Sequence, residues 1–417
     1  MPFSTAMLDH RYERLAPDAQ HTYRLLGALP GTVVIDADLT AAASALDWDS
    51  ADSVLHTLAE HELVEPWASG ARRRYRLASP GHARHQAGAH EPSDGQKAAV
   101  RRVCEWSVIC SLVARQQLLP RRPLLARAAT ERCRVPFADD GAMRWLAGHR
   151  STLRTMLWTA TTNGWDELCW QLVHGLWPLL VDRRPVSLWA EATHLGLAAA
   201  RRTGHGPAER EMLFYGATGL IAVGATEDAL GWFTDLRQNA RAAGDGHDEG
   251  RAAFGQALCH QEATRPDTAT FCLDQAIALW QGCGNDDGVA LASVIAGEIA
   301  LADGDLPRAT TLLTRALGLL PPPGTSFDAA CALALLGRAR LRTGHHEQGL
   351  AELHQALKAF EDTSETRWQA RTLEYLACEA SAHGHHDTAQ HLLKQAAALY
   401  EPSHPGDEIT RLLARLP

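Results

Sequence analysis

The chain has 417 residues, 46% of them apolar and 21% charged, which allows two or three domains with full cores and excludes general disorder. A formal charge of −9 and an isoelectric point near 6.1 exclude a global attraction to nucleic acid, though not a local basic patch. Nine cysteines without a Cys-x-x-Cys pair read as small buried hydrophobes in a reducing compartment. No N-terminal run has the length of a signal or spanning segment, so the expected location is the cytoplasm, away from membranes.

In chain order, Pro17 and Asp18 suit a helix start, and the helix runs from Gln20 to Leu29, where Pro30-Gly31 ends it. A short second helix follows Asp38 and passes Ala41 to Leu46. A third spans about Ser50 to His61, with Val54, Leu55 and Leu58 spaced for one buried face. Leu63 to Trp67, a turn at Ser69-Gly70, and Arg72 to Leu77 read as a two-stranded hairpin. Three helices and a hairpin predict a winged-helix domain over residues 1–87. Arg72, Arg73, Arg74 and Arg76 form a basic wing suited to phosphates. The third helix carries Asp52 and Glu60 but no Arg or Lys, hence few donors for base edges, and nucleic acid is the less favoured partner.

Residues 88–205 are expected to form a helical junction with divergent hairpins. Gly88 to Gly95 reads as a linker or loop, and a helix from Gln96 carries Val100, Val103, Trp106, Ile109 and Leu112 before Leu119-Pro120 stops it. Arg115, Arg121, Arg122, Arg127, Arg132 and Arg134 make a basic patch for an anionic partner or for an acidic surface of the same molecule. Asp139 or Asp140 caps a helix reaching Gly164, and further helices span Asp166 to Leu180 and Ser187 to Thr203. This segment is rich in tryptophan. Trp145, Trp158 and Trp165 are candidates for one end of a partner surface, because Trp supplies much of the binding energy where water is excluded.

From 206 to 401 one pattern recurs every 40 residues. Gly224, Gly304, Gly344 and Gly384 are in register, with Thr264 in the remaining slot, and five residues later stand Ala229, Ala269, Ala309, Gly349 and Ala389. Then come Phe233, Leu273, Leu313, Leu353 and Leu393, followed by Leu236, Ala276, Ala316, Ala356 and Ala396. The order small, large, small predicts two antiparallel helices per unit, crossing closely and plugged by the large residue. The pattern resembles the tetratricopeptide repeat, whose usual unit is about 34 residues. Residues 402–417 are expected to supply a C-terminal capping helix. The predicted fold class is mostly α, a winged-helix domain followed by a tetratricopeptide-like α-solenoid.

Tyr12-Glu13-Arg14-Leu15, Tyr23 to Gly31, Leu58 to Glu65 and Tyr75-Arg76-Leu77 resemble the winged-helix segment of bacterial STAND-type transcriptional regulators, the AfsR/SARP-like group. The resemblance continues through Arg101-Arg102, Pro136-Phe137-Ala138, Trp145-Leu146 and Trp177-Pro178 into the repeats. It implies a regulator in which the winged helix acts as a hinge between an NTPase domain and the repeats. This chain has no Gly-x-x-x-x-Gly-Lys-Ser/Thr, and Ala78-Ser79 stands where the family has His-Asp, so neither nucleotide binding nor ATP hydrolysis is expected.

His345, His346, His383, His385 and His386 occupy equivalent turns of adjacent units, with His391 nearby, but the sequence shows no carboxylate that completes a metal shell. No catalytic residue, metal or cofactor is assigned. The expected function is a non-enzymatic regulatory or scaffold protein binding a peptide or protein partner on the concave repeat face. Arg338, Arg340, Arg342, Arg367 and Arg371 are its candidate contacts. A biosynthetic accessory protein or enzyme holding a peptide substrate in the groove, and a DNA-binding transcriptional regulator, remain the alternatives.

Overall fold

The structure is a computed structural model and describes residues 5–31, 33–68, 73–120, 122–127, 130–132, 134–138 and 141–399. The expected capping helix at 402–417, the turn at Ser69-Gly70, the caps Asp139 and Asp140, and two of the candidate arginines, Arg72 and Arg121, lie outside these residues. The chain divides into two compact units, Met1–Gly216 and Ala217–Pro417.

The first unit begins with helices α1 (Thr5–Glu13), α2 (Pro17–Ala28), α3 (Ala37–Ser44) and α4 (Trp48–Glu60), then strands β1 (Val64–Ala68) and β2 (Arg74–Leu77). Pro17 opens α2, and the caps of α3 and α4 are Asp36 and Asp47, whose side chains accept from the amides of Leu39 and Ser50. Asp36 thus takes the capping role, and the residue expected before the second helix, Asp38, lies in its first turn. The strands pair antiparallel, Val64 opposite Leu77 and Glu65 opposite Arg76, and Ile35 adds an antiparallel bridge to Tyr75.

The expected linker at 88–95 is replaced by α5 (Pro80–His90) and the start of α6 (Ser93–Leu118). Pro80-Gly81 is a helix start, with Pro80 in the first turn and the Ser79 hydroxyl accepting from the His82 amide at 3.4 Å. α5 crosses α2 so closely that a Cβ on Gly27 would lie 2.3 Å from the Ala83 carbonyl oxygen. α7 (Ala142–Gly148) and α8 (Arg150–Thr162) break the long helix expected up to Gly164. At that break His149 stacks on Trp145 with ring centroids 4.8 Å apart and meets the Asp36 carboxylate at 3.1 Å, tying α3 to the later helices.

α9 (Asp166–Arg183), α10 (Val186–Thr203) and the beginning of α11 (Gly206–Ala222) complete the unit. Arg115 on α6, 2% exposed, reaches His174 on α9 at 3.0 Å and Glu211 on α11 at 3.2 Å, and Tyr215 donates to the same carboxylate. Arg122 lies over the Trp177 ring at 6.0 Å, and Arg134 lies 4.6 Å over Trp48 and 3.9 Å from Asp38. Of the patch, Arg115 and Arg122 are thus buried and Arg134 rests against Trp48 and Asp38. A buried cation is tolerable only when paired, and the acids and rings of this unit supply the pairing.

The second unit contains the end of α11, then α12 (Thr226–Ala243), α13 (Gly246–Glu262), α14 (Pro266–Cys283), α15 (Asp286–Asp303), α16 (Leu306–Leu319), α17 (Phe327–Arg342), α18 (His346–Thr363), α19 (Thr366–Ala382) and α20 (His386–Leu399). These are antiparallel helix hairpins of tetratricopeptide-like type. Their turns confirm the register. Gly224, Gly304, Gly344 and Gly384 have φ between 77° and 84°, and Thr264 in the fifth slot has φ 55°. After α17 the His345 amide returns to the Arg340 carbonyl at 2.9 Å, the long-range bond that a left-handed residue at the helix end makes possible.

A second series of turns lies between the units, where Gly244 and Gly284 read as helix stops in the sequence. Gly164, Gly204, Gly244, Gly284 and Ser364 also have positive φ, and with Arg184 they extend the helix-plus-turn module upstream through α9 and α10. Only at 324 does the series lapse, where Pro321-Pro322-Pro323 makes the longer connection between α16 and α17.

The small positions of the second helices are buried as expected, with Ala229, Ala269 and Ala309 at 0% exposure. At the α17–α18 crossing the backbones meet: a Cβ on Gly337 would lie 2.9 Å from the Gly349 carbonyl oxygen. Phe233, Leu273, Leu313 and Leu353 are fully buried, but Leu393, expected to match them, is 50% exposed. The large residue of one hairpin is covered in part by the first helix of the next, as Phe233 is by Gly255, and α20 is the last described helix.

Candidate partner-binding surface

Two of the first helices of the repeats, α15 and α17, do not offer the open face expected of them. α15 is buried at every position from Gly288 to Leu301 except Glu298, and α17 is buried from Ala329 to Gly337. The arginines on this side are engaged within the chain. Arg371 pairs with Glu298, two hairpins earlier. Arg371 also lies 4.7 Å from the Trp368 ring centroid, and Arg338 lies 4.4 Å over Tyr375. Burial lowers the affinity of the Arg371 guanidinium for its proton, but Glu298 and Tyr375 more than offset this and hold its pKa above the ordinary value. Arg340 pairs with Glu352 in its own hairpin, Arg342 donates to the Leu301 carbonyl at 2.6 Å, and Arg367 is exposed. The structure thus brings Arg338 and Arg371 together around Tyr375 and leaves Arg340, Arg342 and Arg367 apart.

The tryptophans divide in the same informative way. Trp145 and Trp165, 5% and 9% exposed, are core residues of the first unit and present almost no surface. Of the twelve tryptophans, Trp67 and Trp158 are the exposed ones, at 50% and 45%. Sequence reasoning named Trp158 and passed over Trp67. Both border clefts that converge on α8.

The helix α8 is amphipathic. Thr152, Leu153, Met156, Leu157 and Ala160 enter the core, so Ser151, Arg154, Thr155, Trp158 and Thr162 fall on the other side. A cleft of about 630 Å³ lies between this helix and the start of α6, lined by Lys97, Val100, Thr155, Trp158 and Trp165 among others. A second, of about 530 Å³, includes Arg150, Arg154, Trp158 and the 52%-exposed Val186. A third, of about 430 Å³, holds Trp67, Arg76, Arg84 and Ser151. Among the described residues lining the three clefts there are five cations, Arg76, Arg84, Lys97, Arg150 and Arg154, and no Asp or Glu.

Two acids outside the linings order this surface. Glu191 on α10 accepts from Arg154 Nε at 2.6 Å and from the Trp158 indole N–H, and the hydrogen bond, aided by its charge, holds the Arg154 pKa above the ordinary value. Glu65 accepts from Arg76 at 2.9 Å. Of the remaining wing residues, Arg73 approaches His56 at 3.3 Å and Arg74 reaches Gly148. The described wing cations Arg73, Arg74 and Arg76 are thus divided among local neighbours.

No protein-family model matches the chain, and no curated protein matches it. Among solved structures it is similar to BtubC (BKLC) from P. vanneervenii, at 16% identity and TM-score 0.45 over 53% of this chain and 95% of that one. It is also similar to a Signal Transduction ATPase with Numerous Domains protein with a tetratricopeptide repeat sensor from Pyrococcus horikoshii, at 12% identity and TM-score 0.47. That match covers 98% of this chain and 60% of the other. The apo quorum sensor NprR from B. thuringiensis matches at 10% identity and TM-score 0.42, over 62% of this chain and 85% of that one.

Proposed function

We propose that the chain is a non-enzymatic regulatory or scaffold protein that binds an acidic, partly apolar peptide segment on the α8 face of its first unit. The observation that carries this is the joint exposure of Trp67, Trp158 and Val186 beside cleft linings that hold five cations and no carboxylate, on a chain whose formal charge is −9. Exposed tryptophan in a cleft is a binding anchor, and Glu191 preorganises Trp158 and Arg154 so that little side-chain entropy is lost on binding. The face from Ser151 to Thr162 is about 16 Å long at 1.5 Å per residue, the reach of about five extended residues. This moves the proposed contact to the helical junction from the repeat arginines, four of which are engaged by acids, a ring or a carbonyl of the same chain.

The same reading keeps the lineage suggested by the sequence. Three helices, a two-stranded hairpin and the Ile35–Tyr75 bridge support a winged-helix domain near the N-terminus. The order winged helix, junction, repeats supports descent from a STAND-type regulator. With no P-loop in the sequence, regulation by this chain would pass through partner binding without hydrolysis of its own. Free thiols, of which Cys104 and Cys169 are pushed up to about 12 and about 11 by burial, support a reducing compartment such as the cytoplasm. No helix among the described residues is long and apolar enough to cross a membrane.

The test is fluorescence anisotropy with labelled five- to eight-residue peptides of alternating Asp and Leu, against Lys/Leu and Ser/Leu counterparts. The acidic peptide should bind alone, with an affinity that falls as salt rises and that drops about tenfold or more in Trp158→Ala. Equal binding of all three peptides, or full retention in both Trp158→Ala and Arg154→Glu, would refute the assignment.

A further inference from the structure

The turns of the second unit hold a cluster that the partner surface does not use. His346, Glu379 and His383 each direct a ligand atom to one spot, and these atoms lie within 4.8 Å of one another. The geometry points to a divalent transition-metal site, of the Zn²⁺ class, formed by these three side chains and clipping α18 to α19.

The register explains how they meet. His346 is the first residue of α18, just beyond the Gly344 turn, and His383 closes α19 just before the Gly384 turn, one 40-residue period on. Stacked hairpins superpose equivalent turns, so residues far apart in sequence become neighbours. Glu379 and His383 are four apart on one helix and therefore share a face. This carboxylate is the ligand that the histidine pattern by itself did not reveal.

The distances suit a metal. A tetrahedral ion with bonds of about 2.0 to 2.1 Å separates its ligand atoms by about 3.3 Å. His383 Nδ1 already lies 3.3 Å from Glu379 Oε1, and His346 Nδ1 lies 2.6 Å from the same oxygen, so a small rotation of either ring admits an ion. The rings are 4.9 Å apart and nearly perpendicular, at 85°, which separates their lone-pair directions. His383 Nδ1 also lies 3.0 Å from the Glu379 backbone carbonyl, a contact that is exchanged for the metal bond when the ring turns toward the ion. Two imidazoles and one carboxylate suit a borderline cation such as Zn²⁺ and leave a fourth position to water.

Nothing in the repeat requires these residues. At the three equivalent upstream junctions the same slots hold Thr226, Cys259 and Ala263, then Pro266, Ile299 and Asp303, then Leu306, Ala339 and Thr343. The helices stack there without a ligand set. The trio is thus an addition at one junction, and an ion bound to it stabilises the folded array by mass action.

The experiment is titration calorimetry of the full, tag-free chain with ZnCl₂, paired with melting curves followed by circular dichroism. One equivalent should bind and raise the melting midpoint. His346→Ala and Glu379→Gln should each weaken binding by at least about tenfold, since even outer residues around a metal cost about 10- to 100-fold. The double variant His385→Ala, His386→Ala should bind like the parent. All variants should match the parent's metal-free melting curve, because the three side chains sit at a partly exposed turn. Absence of binding at sub-millimolar Zn²⁺ would overturn the proposal, as would a loss in the double variant equal to that in His346→Ala, which would mark a diffuse histidine surface.

Discussion

Leu353 and Leu393 occupy the same slot of consecutive repeats, and their replacement by Ala should have unequal consequences. Leu353 is 0% exposed, and its Cγ lies 3.0 Å from where a Cβ on Gly337 would stand, so it fills the space that this glycine leaves. Removing it forfeits a transfer term of about 1.5 to 3 kcal/mol for a buried Leu and leaves a cavity that the close Gly337–Gly349 crossing cannot collapse. The expected cost is about 2 to 5 kcal/mol. Leu393 is 50% exposed, so its replacement surrenders roughly half the transfer term and opens no cavity, about 0.8 to 1.5 kcal/mol. Urea unfolding followed by far-ultraviolet circular dichroism measures both, as midpoint shifts at constant slope. Equal shifts for the two variants, or an unchanged midpoint for Leu353→Ala, would refute the reasoning.

Thr264→Gly should stabilise the chain by about 0.5 to 1 kcal/mol, since a β-branched residue at φ 55° carries left-handed strain that outweighs the extra freedom of Gly in the unfolded chain; a denaturation midpoint lower than the parent's would contradict this. Gly337→Ala should destabilise by about 1 to 3 kcal/mol because its Cβ would press on the Gly349 carbonyl, whereas Gly318→Ala, with open space around it, should stabilise by up to about 1 kcal/mol; thermal melts of the pair check the contrast. Burial raises the pKa of Glu91, whose side chain is 7% exposed, but hydrogen bonds from Arg24 and His21 bring it below the ordinary carboxylate value. A lowered carboxyl pKa contributes stability that is present above the unfolded value and lost as pH falls through the folded one. Glu91→Gln should therefore flatten the loss of stability below about pH 4.5, and an acid-unfolding series that superposes on the parent's would exclude the role.

Much of the fold was legible because its determinants are local. A glycine every 40 residues, a small residue five later and a large one four beyond that specify a turn, a close crossing and its plug, and Thr264 adopted the left-handed conformation that its slot demanded. Where the reading failed, local signs had two meanings. Pro80-Gly81 reads equally as a chain break and as a helix start, and the Ser79 cap decides for the helix. The candidate site was less legible, because charge and aromaticity in a sequence do not say whether a side chain is already satisfied. Arg371 and Arg338 are as cationic in the sequence as Arg84 and Arg150, yet the first two lie against Glu298 and Tyr375 and the latter two line clefts without acids.

By itself, then, the sequence determined the helix-hairpin array, its period and its left-handed turns, since these follow from short-range sterics and from one buried stripe per helix. Only the tertiary structure decided which members of equivalent sets are exposed. Trp158 and Trp145 differ in the neighbours that cover them, as do Leu393 and Leu353. The trio of His346, Glu379 and His383 likewise exists only once hairpins stack, because a ligand set is defined by distances between turns, and those distances are fixed by the packing of whole helices.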